Sequence, residues 1–417
     1  MLRLISLVGM FAILALCWAL STNRRAVRWQ TVRMGLLIQA VLGFVFLYWT
    51  AGNAALRGIG HGVSDFLKLS MRGTAFIFGP LADMGAMERS LGSGFVFAVQ
   101  VLPTLIFFAA FMAVLYHLGV MQKVVQGMAY VMVRVMGTSG SESLSACANI
   151  FVGQTEAPLL VRPFLPRMTR SELHAIMVGG YATIAGGVFV LYSNFADPGH
   201  LMVASVMAAP AGLVCSKLMY PETEASETMG KVVRTVESTS NNVVEAAASG
   251  AIDGLQLALN VAAMLIAFLG LVAVADWMLA GLTGGWFGAA SADPITLGRL
   301  LGWAFSPIAA VMGASTDPRE ILVLGELLGT KLTLTEMVAY IRLGELKAEL
   351  SPRTVLIASF ALCGFANFGS VAIQIGGLGA MAPDRRKDLA ALAMRAMFAG
   401  ALATCLTACL AGVLARV

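Results

Sequence analysis

Two apolar segments of the sequence each carry a glutamate directly after a threonine. Thr155 and Glu156 lie in "NIFVGQTEAPLLVRPF", and Thr335 and Glu336 lie in "DPREILVLGELLGTKLTLTEMVAYIRL". An ionised carboxylate near the centre of a bilayer costs at least about 2.5–3.5 kcal/mol on insertion scales. If each glutamate begins a half-helix after a chain break, the free N–H groups and the positive dipole end of that helix offset part of the cost. The pattern therefore predicts carboxylates that face a wet cavity or a ligand, with helix capping in buried protein as the alternative.

Two further segments interrupt apolar helices with glycine and polar residues. They are "VGGYATIAGGV" (178–188) and "LCGFANFGSVA" (362–372), and their polar side chains are those of Thr183, Asn367 and Ser370. Glycine weakens a helix and lets backbone carbonyls turn toward a cavity, whereas close packing of helices through small residues is the alternative. Asn367 favours the cavity, because a buried amide needs several hydrogen-bond partners. Together with the aromatic ring of Phe365, these groups suit a neutral, flat solute that is rich in hydroxyl groups.

The composition is that of an integral membrane protein. The 417 residues are 58% hydrophobic and 12% charged, with a mean hydropathy of +0.82, whereas soluble domains are about 25% charged. Apolar runs of roughly 18 to 25 residues are typical of transmembrane helices, and no strand-like alternation indicates a barrel. The six cysteines and four histidines show no metal-ligand spacing, and no basic face with interleaved aromatic residues indicates nucleic-acid binding.

Charge next to the first apolar run predicts its orientation. Four arginines follow this run between residues 24 and 33, while only Arg3 precedes it. The positive-inside rule therefore favours a retained first helix that starts outside and ends in the cytoplasm, rather than a signal peptide. From this orientation the sequence predicts eight spans, at about 4–22, 34–50, 95–117, 171–194, 200–219, 251–280, 354–380 and 388–415.

The two segments that carry the Thr-Glu pairs, at about 141–168 and 317–343, enter and leave the membrane on one side. We therefore expect an all-α polytopic membrane protein with eight transmembrane helices, two re-entrant helical hairpins and interfacial helices. The two halves enter from opposite sides, which makes an inverted repeat and indicates a transporter whose site lies near the midplane.

Six regions follow from this topology. Residues 1–93 hold the N-terminal helices and an amphipathic segment at the outer surface, and residues 94–140 hold a scaffold helix and an interfacial helix. Residues 141–220 form the first hairpin and transport repeat, and 221–250 form a polar cytoplasmic linker. Residues 251–316 hold a second scaffold helix and an outer-surface helix, and 317–417 form the second hairpin and transport repeat.

The segments "ANIFVGQTEAPLLVRPF", "VLPTLIFF", "FALCGFANFGSVAI" and "GGLGAMAPDRRKD" strongly resemble the concentrative nucleoside transporter family. The resemblance covers about residues 4–415. It implies the fold above, assembled as a homotrimer in the lipid bilayer of a bacterial inner membrane. It also implies a symporter that imports nucleosides such as uridine by alternating access, driven by a sodium gradient.

The resemblance also implies roles for individual residues. The side chains that bind the nucleobase would be Gln154, Thr155, Glu156, Val188, Leu259 and Phe365, and those that bind the ribose hydroxyls would be Glu336, Asn367 and Ser370. The co-transported sodium ion would be held by Asn149, Val152, Thr183 and Ile184. A proton-coupled symporter of the same fold remains the alternative, and Asn149 with Thr183 favours sodium.

The sequence departs from the family pattern at the second hairpin. Thr335 and Met337 flank Glu336 where relatives have Asn and Phe, and "GASTDP" replaces the usual Gly-Val-Pro-Trp. We expect these changes to affect affinity on the ribose side more than substrate class. An intramembrane hydrolase lacks support, because the sequence has no HExxH motif and no credible GxSxG motif. A channel also lacks support, because closed hairpins do not form a continuous pore.

Overall fold

The computed structural model describes residues 1–91, 96–231, 240–282 and 295–414. This part of the chain consists of helices, turns and one isolated β-bridge, between Ser139 and Met229. The predicted all-α fold is therefore confirmed. The middle of the predicted linker, the tip of the loop before residue 295 and the boundary predicted at residues 93 and 94 lie outside the described residues.

Eight helices precede the first hairpin. They are α1 (Leu2–Ala19), α2 (Trp29–Gly43, continued by one π-helical turn Phe44–Tyr48), α3 (Thr50–Lys68), α4 (Ser70–Phe78), α5 (Met84–Leu91), α6 (Phe97–Gln100), α7 (Leu102–His117) and α8 (Val120–Met136). α8 corresponds to the predicted interfacial helix. Its buried residues Met121, Val125, Ala129 and Met132 recur every three or four positions, as expected for a helix with one apolar face.

The first repeat contains α9 (Gly140–Ala148), α10 (Arg170–Ala182), α11 (Gly186–Tyr192) and α12 (Pro198–Met219). After α9 the hairpin contains only turns and two short 3₁₀ segments, Ala157–Val161 and Leu165–Arg167. The sequence predicts a second half-helix here, so this detail of the prediction is wrong.

The second repeat contains α15 (Pro318–Thr333), α16 (Glu336–Leu346), α17 (Pro352–Leu362), α18 (Phe368–Met381) and α19 (Arg386–Leu414). The helices α13 (Val243–Ala280) and α14 (Leu297–Val311) lie between the two repeats in the chain. α13 begins eight residues earlier than predicted, because Asn242 caps its first turn by accepting a 2.8 Å hydrogen bond from the backbone N–H of Glu245.

Six described helical segments are long and apolar enough to cross a membrane. They comprise α1, α2 with its π-helical turn, α6 with α7, α12, α13, and α19 with the turn before it. The other two predicted spans, 171–194 and 354–380, are each broken into two short helices, α10–α11 and α17–α18. The total of eight spans therefore stays a prediction.

The helices divide into an inner and an outer group. α12 and α19 are largely buried, whereas α7 is mostly half-buried, α13 is mostly exposed, and these two helices pack against each other. Their contact depends on glycine. A side chain at Gly250 or Gly254 would come within 2.7 Å of the Ala109 carbonyl oxygen or of the Ile106 Cα. This GxxxG spacing lets the two helix backbones approach closely.

Candidate substrate and cation site

The breaks in the two interrupted helices meet. The backbone N–H of Phe365, between α17 and α18, donates to the carbonyl of Thr183, between α10 and α11, at 3.2 Å. Gly364 permits this approach, because a Cβ atom there would lie 2.7 Å from the Tyr181 carbonyl oxygen. The tip of the first hairpin joins them, since Gly186 donates its N–H to the Phe151 carbonyl at 3.0 Å. Both repeats therefore contribute unwound backbone to one centre.

Glu336 is the first residue of α16, as the sequence predicts, and Thr335 caps that helix. Its side chain is buried. Oε1 accepts a 2.6 Å hydrogen bond from the Tyr192 hydroxyl, and Oε2 accepts a 2.8 Å bond from Nδ2 of Asn367. Asn367 in turn caps α18, because its Oδ1 accepts from the Ser370 N–H at 2.8 Å. Three predicted substrate residues thus form one connected set.

Gln154 connects the first hairpin to this set. Its Nε2 donates to Oγ of Ser370 at 3.1 Å, and its Oε1 accepts from Nε2 of Gln374 at 3.0 Å. Gln374 also donates to the Met177 carbonyl at 3.1 Å. The chain of hydrogen bonds therefore runs from α11 through Glu336 and α18 to the hairpin and α10. An amide pair and a carboxylate in this arrangement can bind a diol and a heterocycle edge.

Sequence reasoning missed Tyr192 and Gln374. Gln374 follows Ser370 by four residues, so both lie on one face of α18, and this spacing is the signal that could have found it. Tyr192 belongs to a different repeat from Glu336. Its only local signal is that a tyrosine in an apolar helix usually needs a partner for its hydroxyl.

The remaining predicted substrate residues are less connected. Val188 is buried, whereas Thr155 and Phe365 are partly exposed. Leu259, on α13, is 57% exposed. Glu156 is exposed and folds back over Gly153, where a side chain on residue 153 would clash with its carboxylate. The Phe365 carbonyl accepts a 2.9 Å hydrogen bond from the Asn367 N–H, but no described hydrogen bond joins the side chains of these residues to the set, and their roles stay predictions.

The predicted cation ligands lie at two helix C-termini. Asn149 follows α9 and Thr183 follows α10, and both are buried. Nδ2 of Asn149 donates to the Ser145 carbonyl at 3.0 Å, while its Oδ1 has no hydrogen-bond partner in the described part of the chain. The Thr183 hydroxyl donates to the Gly179 carbonyl at 2.8 Å, so its oxygen lone pairs are free to accept.

Both side chains lie against Gly179 of α10, since a Cβ atom there would lie 3.2 Å from Nδ2 of Asn149 and the Gly179 carbonyl accepts from the Thr183 hydroxyl. Ile184 is buried and Val152 partly buried beside them. A buried, unsatisfied amide oxygen calls for a partner. Together with a hydroxyl at the negative ends of two helices, it supplies the hard oxygen ligands that suit an alkali cation.

Broken helices that cross between two repeats, with polar groups at the breaks, define a secondary transporter rather than an enzyme. The comparisons with known proteins give the family. Three protein-family models match the sequence. They describe the N-terminus of the Na⁺-dependent nucleoside transporter (residues 8–81), nucleoside recognition (Gate; residues 98–198) and the C-terminus of the Na⁺-dependent nucleoside transporter (residues 200–412).

An uncharacterized transporter of Haemophilus influenzae is 46% identical over 413 residues, which cover 98% of this chain and 96% of that protein. Human sodium/nucleoside cotransporter 1 is 40% identical over 99% of this chain, which spans 64% of the human protein. The solved structure of CNTnw in an inward-facing, substrate-bound state matches with a TM-score of 0.92 and 43% identity, over 99% of this chain and 98% of CNTnw.

The chain therefore belongs to the Na⁺-dependent, or concentrative, nucleoside transporter family, as its motifs predict. It is a multi-pass membrane transporter of a family that co-transports sodium. A substituted CNTnw in an outward-facing state also matches, with a TM-score of 0.92 and 43% identity over 99% of this chain and 98% of that one. The shared architecture thus occurs in both inward-facing and outward-facing states.

Proposed function

We propose that this protein imports nucleosides such as uridine across the inner membrane of a bacterium, driven by a sodium gradient and by alternating access. The observation that carries the proposal is the buried carboxylate of Glu336, held between Tyr192 and Asn367 at the crossing of the two broken helices. Such a group is costly in a membrane unless it serves a ligand.

The ribose hydroxyls bind to Glu336, Asn367 and Ser370. A carboxylate and an amide oxygen accept hydrogen bonds from a vicinal diol, and the amide N–H₂ and the hydroxyl donate in return. Because Tyr192 and Asn367 already fix both carboxylate oxygens, the acceptor geometry is set before the substrate arrives. A site of this kind rejects a nucleoside that lacks a hydroxyl, since its own groups are then left unpaired.

The nucleobase binds on the side of the first hairpin. Gln154 supplies an amide for the base edge, with Thr155 and Glu156 beside it, and Phe365 packs against the ring. Val188 and Leu259 line the base slot. Leu259 belongs to α13, outside the repeats, so its exposed side chain would meet the base across the boundary between the transport repeats and the scaffold.

Sodium binds at Asn149 and Thr183, with the carbonyls of Val152 and Ile184. The unsatisfied Oδ1 of Asn149 supports this assignment. The site lies between the hairpin and α10, so the ion would fix the hairpin against the helix whose break carries the substrate site. We further propose a homotrimer, in which the α7–α13 pair belongs to the scaffold against which the hairpin-bearing repeats move.

The experiment is radiolabelled uridine uptake into proteoliposomes that hold the purified protein, with an inward sodium gradient or with choline in its place. Uptake that requires sodium supports the proposal. Uptake that ignores sodium and follows a pH gradient would instead assign a proton-coupled symporter of the same fold. Failure of uridine to enter under either gradient would contradict the proposed substrate.

A further inference from the structure

The ammonium group of Lys331 is buried and hydrogen-bonds to neutral oxygens, while the buried carboxylate of Glu336 lies near enough to attract its charge. Lys331 belongs to the last turn of α15 and is 3% exposed. Its Nζ donates to the carbonyl of Ala361 at 2.8 Å and to Oγ1 of Thr404 at 2.9 Å. Lys217, the other buried lysine of the described chain, lies 2.6 Å from a carboxylate oxygen of Glu142. Unlike Lys217, Lys331 has no carboxylate among its described hydrogen-bond partners, and a buried lysine of this kind in a membrane protein requires an explanation.

Its two partners are the kind of ligands that a metal cation would use. Ala361 is in the last turn of α17, where carbonyls lack intrahelical partners and the helix dipole is negative. Thr404 of α19 donates its own hydroxyl proton to the Ala401 carbonyl at 2.9 Å, so its oxygen is left to accept. Two oxygens therefore converge on a positive charge at the end of a broken helix.

The first repeat has the same arrangement without a lysine. There the C-terminal end of the hairpin helix α9 carries Asn149, and the end of the broken helix α10 carries Thr183. In the second repeat the corresponding ends are those of α15, with Lys331, and of α17, with Ala361. The first position presents an unsatisfied amide oxygen, whereas the second is filled by an ammonium group.

The breaks that follow the two broken helices α10 and α17 meet. Phe365 donates its N–H to the Thr183 carbonyl, and a Cβ atom on Gly364 would lie 2.8 Å from Cγ2 of Thr404 and 2.7 Å from the Tyr181 carbonyl oxygen. The negative ends of α10 and α17 thus converge on one small region. A cation in this region would stabilise both helix ends, because their free carbonyls carry partial negative charge.

We propose that Lys331 is a built-in cation that occupies the second of two equivalent cation positions, so that each protomer keeps one exchangeable sodium site. This inference rests on the proposed sodium coupling and sets its stoichiometry at a single sodium ion for each nucleoside. The inverted repeat places two negative helix ends where a cation would stabilise them. At one of these ends the cation is the ammonium group of Lys331.

A purely structural role for Lys331 makes different predictions. If the side chain only cross-links α15, α17 and α19, any neutral replacement weakens the protein and sodium has no special effect on it. If the ammonium stands in for a cation, a small replacement opens space into which sodium can enter. Lys331→Ser opens that space, whereas Lys331→Met removes the charge and keeps the space filled.

The test is a sodium titration of the thermal unfolding midpoint, on purified wild type, Lys331→Ser and Lys331→Met in detergent with choline replacing sodium. We expect the midpoint of the serine variant to rise about twice as steeply with the logarithm of sodium concentration as that of the wild type, because two ions then bind the folded state. The methionine variant should rise no more steeply than the wild type. Equal slopes for the serine and methionine variants would overturn the proposal.

A second measurement does not depend on the variants folding. Equilibrium binding of radioactive sodium to the wild type should saturate at one ion per protomer, and two ions per protomer would overturn the proposal. A wild type whose midpoint ignores sodium and which binds none would contradict the sodium coupling itself. That result is distinct from a wild type that binds two ions.

Discussion

The two hairpins carry the same Thr-Glu pair but hold it differently. Glu156 is exposed, and a short 3₁₀ segment follows it. Glu336 is 4% exposed, begins the regular helix α16 and has both carboxylate oxygens bonded to side chains of other elements. The second hairpin therefore presents an acceptor that other elements preorganise, while the carboxylate of the first is held by groups of its own turn, among them Thr155.

Proline accounts for part of this difference. Pro158, Pro163 and Pro166 follow Glu156 within ten residues, and each removes a backbone donor that a continuous helix would need. No proline occurs in α16 after Glu336. The comparison shows that equivalent positions in the two repeats are built differently, and we propose that they have different tasks, with geometric selection on one side and adaptable contact on the other. The following substitutions test this difference.

Glu336→Gln should have the largest effect. The glutamine keeps the shape of the side chain but removes the charge that Tyr192 and Asn367 hold, and hydrogen bonds to charged groups contribute about 1.5–3 kcal/mol each. We expect uridine uptake to fall at least about 100-fold. The control is Glu345→Gln, which alters an exposed glutamate on the same helix. Normal uptake by Glu336→Gln would remove this residue from ribose binding.

Asn149→Leu should abolish the sodium response. Leucine has the same number of side-chain heavy atoms and the same branching but supplies no oxygen to the cation, so uptake should become the same in sodium and in choline. Asn194→Leu is the matched control, because the Asn194 amide donates only to carbonyls within its own repeat, those of Val190 and Leu191. Unchanged sodium dependence in Asn149→Leu would exclude this residue from the cation site.

Glu156→Gln should be milder than Glu336→Gln, because the Glu156 carboxylate is exposed and lacks a fixed partner on another element. We expect a rise of about tenfold in the KM for uridine, with sodium dependence retained. Measurement of uptake under a sodium gradient and under a pH gradient checks this. An effect as large as that of Glu336→Gln would show that the two hairpins do not divide their tasks in this way.

Tyr192→Phe should have the smallest effect of the four on uridine uptake, with a KM rise of several-fold to about tenfold, because one hydrogen bond to the carboxylate is lost. The ratio of uptake of uridine to 2′-deoxyuridine should fall as well, since Glu336 is then less firmly oriented. Tyr340→Phe is a close control, because its ring stacks on Tyr192 at 4.5 Å while its hydroxyl bonds to the Ser359 carbonyl. Equal ratios in both variants would contradict the positioning role of Tyr192.

Local sequence patterns predicted the breaks but not the contacts between them. Gly364 and Asn367 mark the interruption of the seventh predicted span, and Thr335 with Glu336 marks the start of α16, because capping and glycine effects act within a few residues. The family motifs brought Glu336, Asn367 and Ser370 into one set, and the structure places these three together.

Contacts between distant parts of the chain could not be predicted in this way. Tyr192 and Glu336 are 144 residues apart, and Gln154 and Gln374 are 220 apart, so no periodicity relates them. The 3₁₀ form of the first hairpin is a different case. Its three prolines were visible in the sequence, but the apolar length of the segment favoured a helix.

The length of α13 makes this helix sensitive to the thickness of the bilayer. Its 38 residues extend about 57 Å, nearly twice the hydrocarbon thickness of about 30 Å. A helix of this length tilts steeply or projects beyond the lipid, and its tilt changes when acyl chains become longer or shorter. Because α7 packs along it, membrane thickness acts on both helices of the α7–α13 pair through this tilt.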